Sequence, residues 1–186
     1  MAISEFNLAQ HQRAARKLLI TVAEWEDENG SITITEGTTE IKVNREILGR
    51  RTEDSSIEYN ADIETTTDIL GINYTDINKT QPQQDFDPYL ILGGSKLGAK
   101  LNDIRRRNAL TELNGFTLYI ITAYIGDSTN GYEAERHVNC TITYNSLGGD
   151  SNVNMPISAY FSNESTTGTV NKLSDDFTFS EDVAGT

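Results

Sequence analysis

Apolar and polar residues alternate along most of this chain with the period of two that marks half-buried β-strands. Leu18 to Trp25 and Ser31 to Thr35 are strand candidates. Between them lies Glu26-Asp27-Glu28-Asn29-Gly30, whose Asn-Gly end signals a hairpin turn. The same acidic pentad could suggest calcium, but the oxygen ligands at fixed positions and the closing carboxylate of a calcium loop are missing. Glu40 to Leu48 follows. In Ser56 to Gly71 the two faces differ sharply: Ile57, Tyr59, Ala61 and Ile63 would share one side of a strand, and Glu58, Asn60, Asp62 and Glu64 the other. Such a strand buries its apolar side and presents carboxylates. It runs to about Leu70 and turns at Gly71, with Ile72 to Ile77 as its partner. Phe116 to Ile125 is dense in Leu118, Tyr119, Ile120, Ile121 and Tyr124, as a central strand covered on both faces would be. Val138, Cys140, Ile142 and Tyr144 alternate, as do Val153, Met155, Ile157, Ala159 and Phe161 after the Gly148-Gly149-Asp150 turn. Phe177 and Phe179 supply a last short strand.

One segment has helical spacing. Ser95 is a natural N-cap, and Leu97, Leu101 and Ile104 form an apolar stripe, which predicts a helix over 95–110. Its other faces carry Lys96, Lys100 and the run Arg105, Arg106, Arg107. That cluster admits two readings: a nucleic-acid patch, or a helix packed on a sheet by its stripe. In the second reading the cations near its C-terminus are favoured by the helix dipole and are free to pair with acids of neighbouring subunits. Within the long connection 71–93, Asn78 to Asp87 holds Pro82 among Gln, Asp and Asn residues and reads as an exposed, contact-making loop. Residues 1–16 read as an N-terminal arm and 180–186 as a C-terminal tail. At 186 residues a single domain with its own core is expected, mainly β, its antiparallel sheets forming a sandwich or barrel with one flanking α-helix.

Charge narrows the function. Acids number 28 against 15 bases, a formal net charge of −13, which disfavours general electrostatic binding to nucleic acid. The excess is uneven: Glu24 through Asp87 holds 16 of the acids but only Lys42, Arg45, Arg50, Arg51 and Lys79 as bases, so the front half carries the negative field. Cys140 is the only cysteine, which excludes an intrachain disulfide framework and suits assembly in a reducing cytoplasm. With no basic, apolar leader and no run near the roughly 18 apolar residues of a membrane span, the chain reads as soluble and unprocessed. Asn-x-Ser/Thr triplets such as Asn73-Tyr74-Thr75 reflect the abundance of Asn and Thr.

Enzyme chemistry finds little support. His137 and Cys140, three apart in one predicted strand, should face opposite sides and cannot pair, and His11 lies in the arm without partners. Gly93-Gly94-Ser95-Lys96 lacks the spacing of a phosphate loop and reads as a turn and cap, and there is no nucleophile elbow. The plentiful carboxylates fall on exposed alternating faces rather than in a buried dyad. No catalytic residue, cofactor or metal is expected.

The order of several segments carries a resemblance. Ser56-Ile57-Glu58-Tyr59-Asn60, Thr65-Thr66-Thr67-Asp68-Ile69-Leu70-Gly71, Gln83-Gln84-Asp85-Phe86-Asp87-Pro88, the Gly93-Gly94-Ser95-Lys96-Leu97 helix start, Ala123-Tyr124-Ile125-Gly126, Tyr132-Glu133-Ala134-Glu135 and Ser146-Leu147-Gly148-Gly149-Asp150 together look like the tail tube (major tail) proteins of phages and prophages of Gram-positive bacteria. The resemblance implies a two-sheeted β fold with a flanking helix, and homohexameric rings whose strands join into an inner barrel and whose stacking forms a tube. It implies a virion tail assembled in the host bacterial cytoplasm, with tape measure, terminator and distal tail proteins as partners and no membrane. Double-stranded DNA would pass through the lumen without specific binding. A cationic bore would bind DNA, with roughly one charge per 1.7 Å of axis, at many points, whereas an acidic one lets it slide. On this reading Glu58, Asp62, Glu64 and Asp68 line the lumen. Asn78, Gln83, Asp85 and Asp87 make inter-ring contacts, and Arg105, Arg106 and Arg107 form a basic inter-subunit face. The inner tube of a contractile injection system or a phage-tail-like bacteriocin would look the same from one subunit. A β-sandwich carbohydrate-binding or adhesin module is the alternative of a different class, and it would cluster exposed aromatic side chains on one face.

Overall fold

Among the described residues of the computed structural model (6–36, 38–52 and 54–182), twelve strands and one α-helix follow one another along the chain. The strands are β1 (Leu19–Glu26), β2 (Ile32–Glu36), β3 (Thr39–Ile47), β4 (Ile57–Glu58), β5 (Asp62–Thr67), β6 (Asn73–Lys79), β7 (Gln83–Phe86), β8 (Asn114–Asp127), β9 (Gly131–Tyr144), β10 (Ile157–Tyr160), β11 (Ser165–Val170) and β12 (Phe179–Glu181). Helix α1 (Lys96–Arg107) stands between β7 and β8. Ten strands form one sheet of order β2-β3-β1-β8-β9-β10-β7-β4, which branches at β9 into β11 and β12, while β5 and β6 form a separate hairpin. Every pairing is antiparallel. The mainly β fold with a single helix therefore stands as expected. The beginning of the N-terminal arm and the end of the C-terminal tail lie outside the described residues.

The alternation in β8 explains the layering. Phe116, Leu118 and Ile120 enter a large apolar cluster with Ala23 and Trp25 of β1, Ile142 and the helix stripe Leu97, Leu101 and Ile104. Tyr119 and Ile121, on the other face, join a smaller one with Val22, Ala134, Val170 and Phe177. The helix begins as the sequence dictates, with Ser95 Oγ accepting from the Gly98 amide at 3.0 Å. It ends at Arg107, three residues before the expected Leu110, because Asn108 adopts the left-handed conformation (φ 54°) that closes a helix, and a 3-10 turn, Leu110–Leu113, follows.

Several expectations are corrected. Asn29-Gly30 is no hairpin turn: β1 and β2 both pair with β3, and Val43 lies opposite both Glu26 and Ile32. The link from β1 to β2 passes so close to Val43 that a Cβ on Gly30 would sit 2.6 Å from its backbone nitrogen and oxygen. Within the long connection 71–93, β6 is the expected partner strand, but the expected loop holds β7, which lies inside the sheet between β10 and β4, where buried Gln84 accepts from the Thr21 hydroxyl and donates to Ser55. A side chain that would be costly to bury alone is thus satisfied by two hydroxyl partners. Val153 stays exposed, since only Ile157–Tyr160 of its segment is strand. The Ser-Thr-rich strand β11 has no apolar alternation to announce it.

The smaller cluster encloses an ion pair. Arg45 Nε donates to Glu24 Oε2 at 2.5 Å, Arg45 Nη1 donates to the Phe177 carbonyl at 2.6 Å, and the guanidinium lies 4.1 Å from the Phe177 ring centroid. Tyr119 donates to Glu24 Oε1 at 3.2 Å, and burial, then the nearby Glu24 charge, pushes the phenol pKa up, so it remains a donor. These contacts tie the C-terminal segment to the sheet. Arg45→Ala should lose about 3–5 kcal/mol of stability in urea denaturation, because it strands a buried carboxylate, whereas replacing both partners by Met and Leu should cost far less. Gly30→Ala should destabilise by about 1–3 kcal/mol and Gly93→Ala, which meets no atom within 4 Å, should be near neutral in the same assay.

Candidate functional site

The stretch with the acidic and apolar faces does not form one strand. β4 ends after two residues, Asn60 turns into the left-handed region (φ 41°), and β5 begins anew as half of a hairpin with β6. The base of this hairpin is tied down by the Gln81 amide donating to the Tyr59 carbonyl at 2.9 Å and by Asn60 Nδ2 donating to the Gln81 carbonyl at 3.2 Å. Beyond the base, every residue of β5 and β6 is exposed. The expected burial of Tyr59 and Ile63 is therefore overturned: both are more than half exposed, since among the described residues no sheet or helix covers the hairpin.

The hairpin has two chemically distinct faces. Cross-strand partners share a side, so Glu64 and Asp76 stand together, with Thr66 opposite Tyr74 beyond them and Asp62 opposite Lys79 at the base. Two carboxylates directly opposite one another repel, and the Asn78 side-chain amide donates to Glu64 at 3.4 Å. The other face holds Ile63 opposite Ile77, Thr65 opposite Thr75 and Thr67 opposite Asn73. The irregularity at Asp62/Ile63 falls opposite an extra residue of β6, Asn78, so the alternation of β5 itself is kept.

At the tip, Asp68 builds the turn. Its Oδ1 accepts from the amides of Leu70 and Ile72 at 2.8 and 3.0 Å, and its Oδ2 accepts from the Tyr74 hydroxyl at 3.2 Å. The Ile72 amide foremost, with help from Leu70 and Tyr74, holds the Asp68 carboxyl below the usual aspartate range. The turn thus presents Ile69, fully exposed, and Leu70, 78% exposed, to solvent.

Of the acids picked out as lumen candidates, Asp62 and Glu64 share a face, to which the structure adds Asp76; Asp68 serves the turn, and Glu58 lies on β4 opposite Gln83. Asp76 was missed because it sits in a strand whose apolar alternation drew the reading. The aliphatic tip was legible as an anomaly, two apolar residues where a turn is normally polar. Asn78 is exposed on β6; Gln83 and Asp85 lie on β7, hydrogen-bonded to each other at 3.0 Å; Asp87 is exposed and accepts from Asn154 at 3.2 Å. In the basic run, Arg107 pairs with Asp103 and Glu112, and Arg105 donates to Asn102. Arg106 is exposed and makes no hydrogen bond or ion pair among the described residues.

His137 and Cys140 need a second correction. A bulge at left-handed Asn139 (φ 56°) sets Cys140 opposite Phe116 and His137 opposite Leu118, so the two fall on one face. They form no dyad, because the imidazole nitrogens lie 3.0 Å from the Ser162 carbonyl and 3.3 Å from Glu135, while the thiol hydrogen-bonds to the His137 carbonyl. Burial pushes the Cys140 thiol pKa up. Among the described residues no group of His, Cys, Asp and Glu could hold a metal, and no helix is long and apolar enough to cross a membrane.

The chain matches no protein-family model and no curated protein. Among solved structures, a chain of the anti-feeding prophage baseplate, determined by cryo-electron microscopy with sixfold symmetrisation, aligns over all of its own length and 89% of this chain, with a TM-score of 0.42 and 10% sequence identity.

Proposed function

We propose that this chain is the repeating structural subunit of a phage-type tail tube, closing into hexameric rings that stack. The observation that carries the proposal is the hairpin β5–β6. A two-stranded hairpin alone in water is marginal at best, and this one keeps aliphatic residues on one face and carboxylates on the other with nothing among the described residues to cover either. An element so composed gains its partners when copies assemble. The sheet supports the same reading, because among the described residues it leaves edge strands β2, β4 and β12, whose unpaired backbone groups could be matched by a neighbour in a closed ring.

A head-to-tail contact that closes gives a ring, and a separate top-to-bottom contact then stacks rings without limit. Asp62, Glu64 and Asp76 on the hairpin, with Glu58 on β4, are the carboxylates assigned to the channel wall, where they would repel passing DNA rather than hold it. Asn78, Asp85 and Asp87 are assigned to contacts between rings. The tube of a contractile machine asks the same of its subunit and falls under the same proposal. An aromatic binding platform is not supported by the aromatics of the apolar alternation: Tyr119 and Phe161 are buried, and Tyr124 and Tyr144 are partly buried.

Negative-stain electron microscopy of the concentrated protein should show hollow sixfold rings or stacked tubes, and uniform single particles at every concentration would remove the proposal. Replacing Glu58, Asp62 and Glu64 with lysine should leave the tubes intact but slow genome release from particles built with them; release at the normal rate would remove the channel-wall assignment.

A further inference from the structure

The aliphatic tip of the hairpin has a counterpart elsewhere on the same chain. Helix α1 and the loops at 91–94 and 147–153 enclose an apolar groove of about 360 Å³, lined by Ile91, Gly98, Ala99, Asn102, Leu147 and Val153 among others. The loops are fixed there by backbone hydrogen bonds, Ile91 N to the Val153 carbonyl at 3.0 Å and Gly148 N to the Asn154 carbonyl at 3.0 Å. Its floor is Gly98, over which Ile91 Cδ1 would lie 3.7 Å from an added Cβ. Ile91, Leu147 and Val153 remain 40–54% exposed, so none of the described residues fills the groove.

We infer that the hairpin tip Ile69-Leu70 of one copy seats in this groove of a second copy. The fit is chemical as well as steric. The helix face that forms one wall continues from Ala99 and Asn102 to Arg106, one turn further on, and Arg106 is the cation of the basic run whose side chain has no partner among the described residues. The tip carries Asp68, whose charge is held on by the turn hydrogen bonds. An apolar knob bearing one anion thus meets an apolar groove rimmed by one cation. The surrounding fields agree: the hairpin has four acids (Asp62, Glu64, Asp68, Asp76) and one base (Lys79), whereas the helix has five bases (Lys96, Lys100, Arg105, Arg106, Arg107) and one acid (Asp103). Opposite fields of this kind steer association and reject wrong registers. The channel acids stay free, because at about 3.3 Å per residue Glu64 lies roughly 13 Å and Asp62 roughly 20 Å back from Asp68 along the strand.

The contact rests on the assembly proposed above only in requiring a second copy, and one experiment separates the two. Leu70→Cys and Leu147→Cys are made in separate full-length chains, mixed, and oxidised, with Leu70→Cys plus Thr129→Cys as the control; native Cys140 is buried and does not take part. A disulfide-linked dimer should form at least about tenfold faster from the tip and groove pair than from the control, as expected for thiols held together rather than meeting by chance. A rate no greater than the control overturns the contact. Imaging the same samples decides the ring separately: rings without the cross-link leave the tube proposal standing and remove this contact, and the cross-link without rings does the reverse.

Discussion

Burial of β8 on both faces is the constraint from which the architecture follows. A strand that must lose water on two sides needs a layer on each. The chain supplies the helix stripe Leu97, Leu101 and Ile104 for one and the returning C-terminal segment with Phe177 for the other. The first layer is mainly apolar, with Glu46 of β3 accepting from the Ser95 hydroxyl and the Leu97 amide at the start of the helix. The second is held by the Glu24–Arg45 pair, whose guanidinium also bonds the Phe177 carbonyl and stacks on its ring. A purely apolar contact would bury as much surface but would leave the segment free to slide, and the directional bonds fix its position along the sheet.

The parts legible in the sequence are those where periodicity and burial coincide. The helix stripe, the Ser95 cap, the double-sided β8 and the β5–β6 pairing could all be read from spacing, because the same side chains that set the pattern also form the core or the turn. The errors arise where local chemistry and tertiary context part. Asn29-Gly30 has the composition of a hairpin turn, yet its glycine is required by the approach to Val43, a contact from a distant strand. Gln83–Phe86 looks like a loop because glutamine and aspartate avoid interiors, but hydroxyls from Thr21 and Ser55 meet Gln84 there. The bulge at Asn139 shifts the parity of β9 and brings His137 to the side of Cys140, and no count of residues could show it.

The hairpin illustrates a different failure. Its alternation is real, but alternation says that one face avoids water without saying whose surface covers it. Among the described residues the usual inference from pattern to core fails most fully here, in a segment whose whole apolar side is left bare. Conflict between local pattern and the surrounding fold tends to mark functional surfaces. The acids on the reverse face, placed opposite one another at a cost to the hairpin itself, point the same way.

Under the proposed assembly, the burial of Cys140 bears on the life of a particle made in one place and used in another. Its sulfur is enclosed between β8 and the loop at Ser162, and burial keeps it in the protonated, poorly nucleophilic form. Oxidants and disulfide exchange act on accessible thiolates. In the proposed tube, a subunit built this way would pass from a reducing cell to an oxidising medium with its covalent structure unchanged, and the many identical copies crowded side by side would not become randomly stitched together.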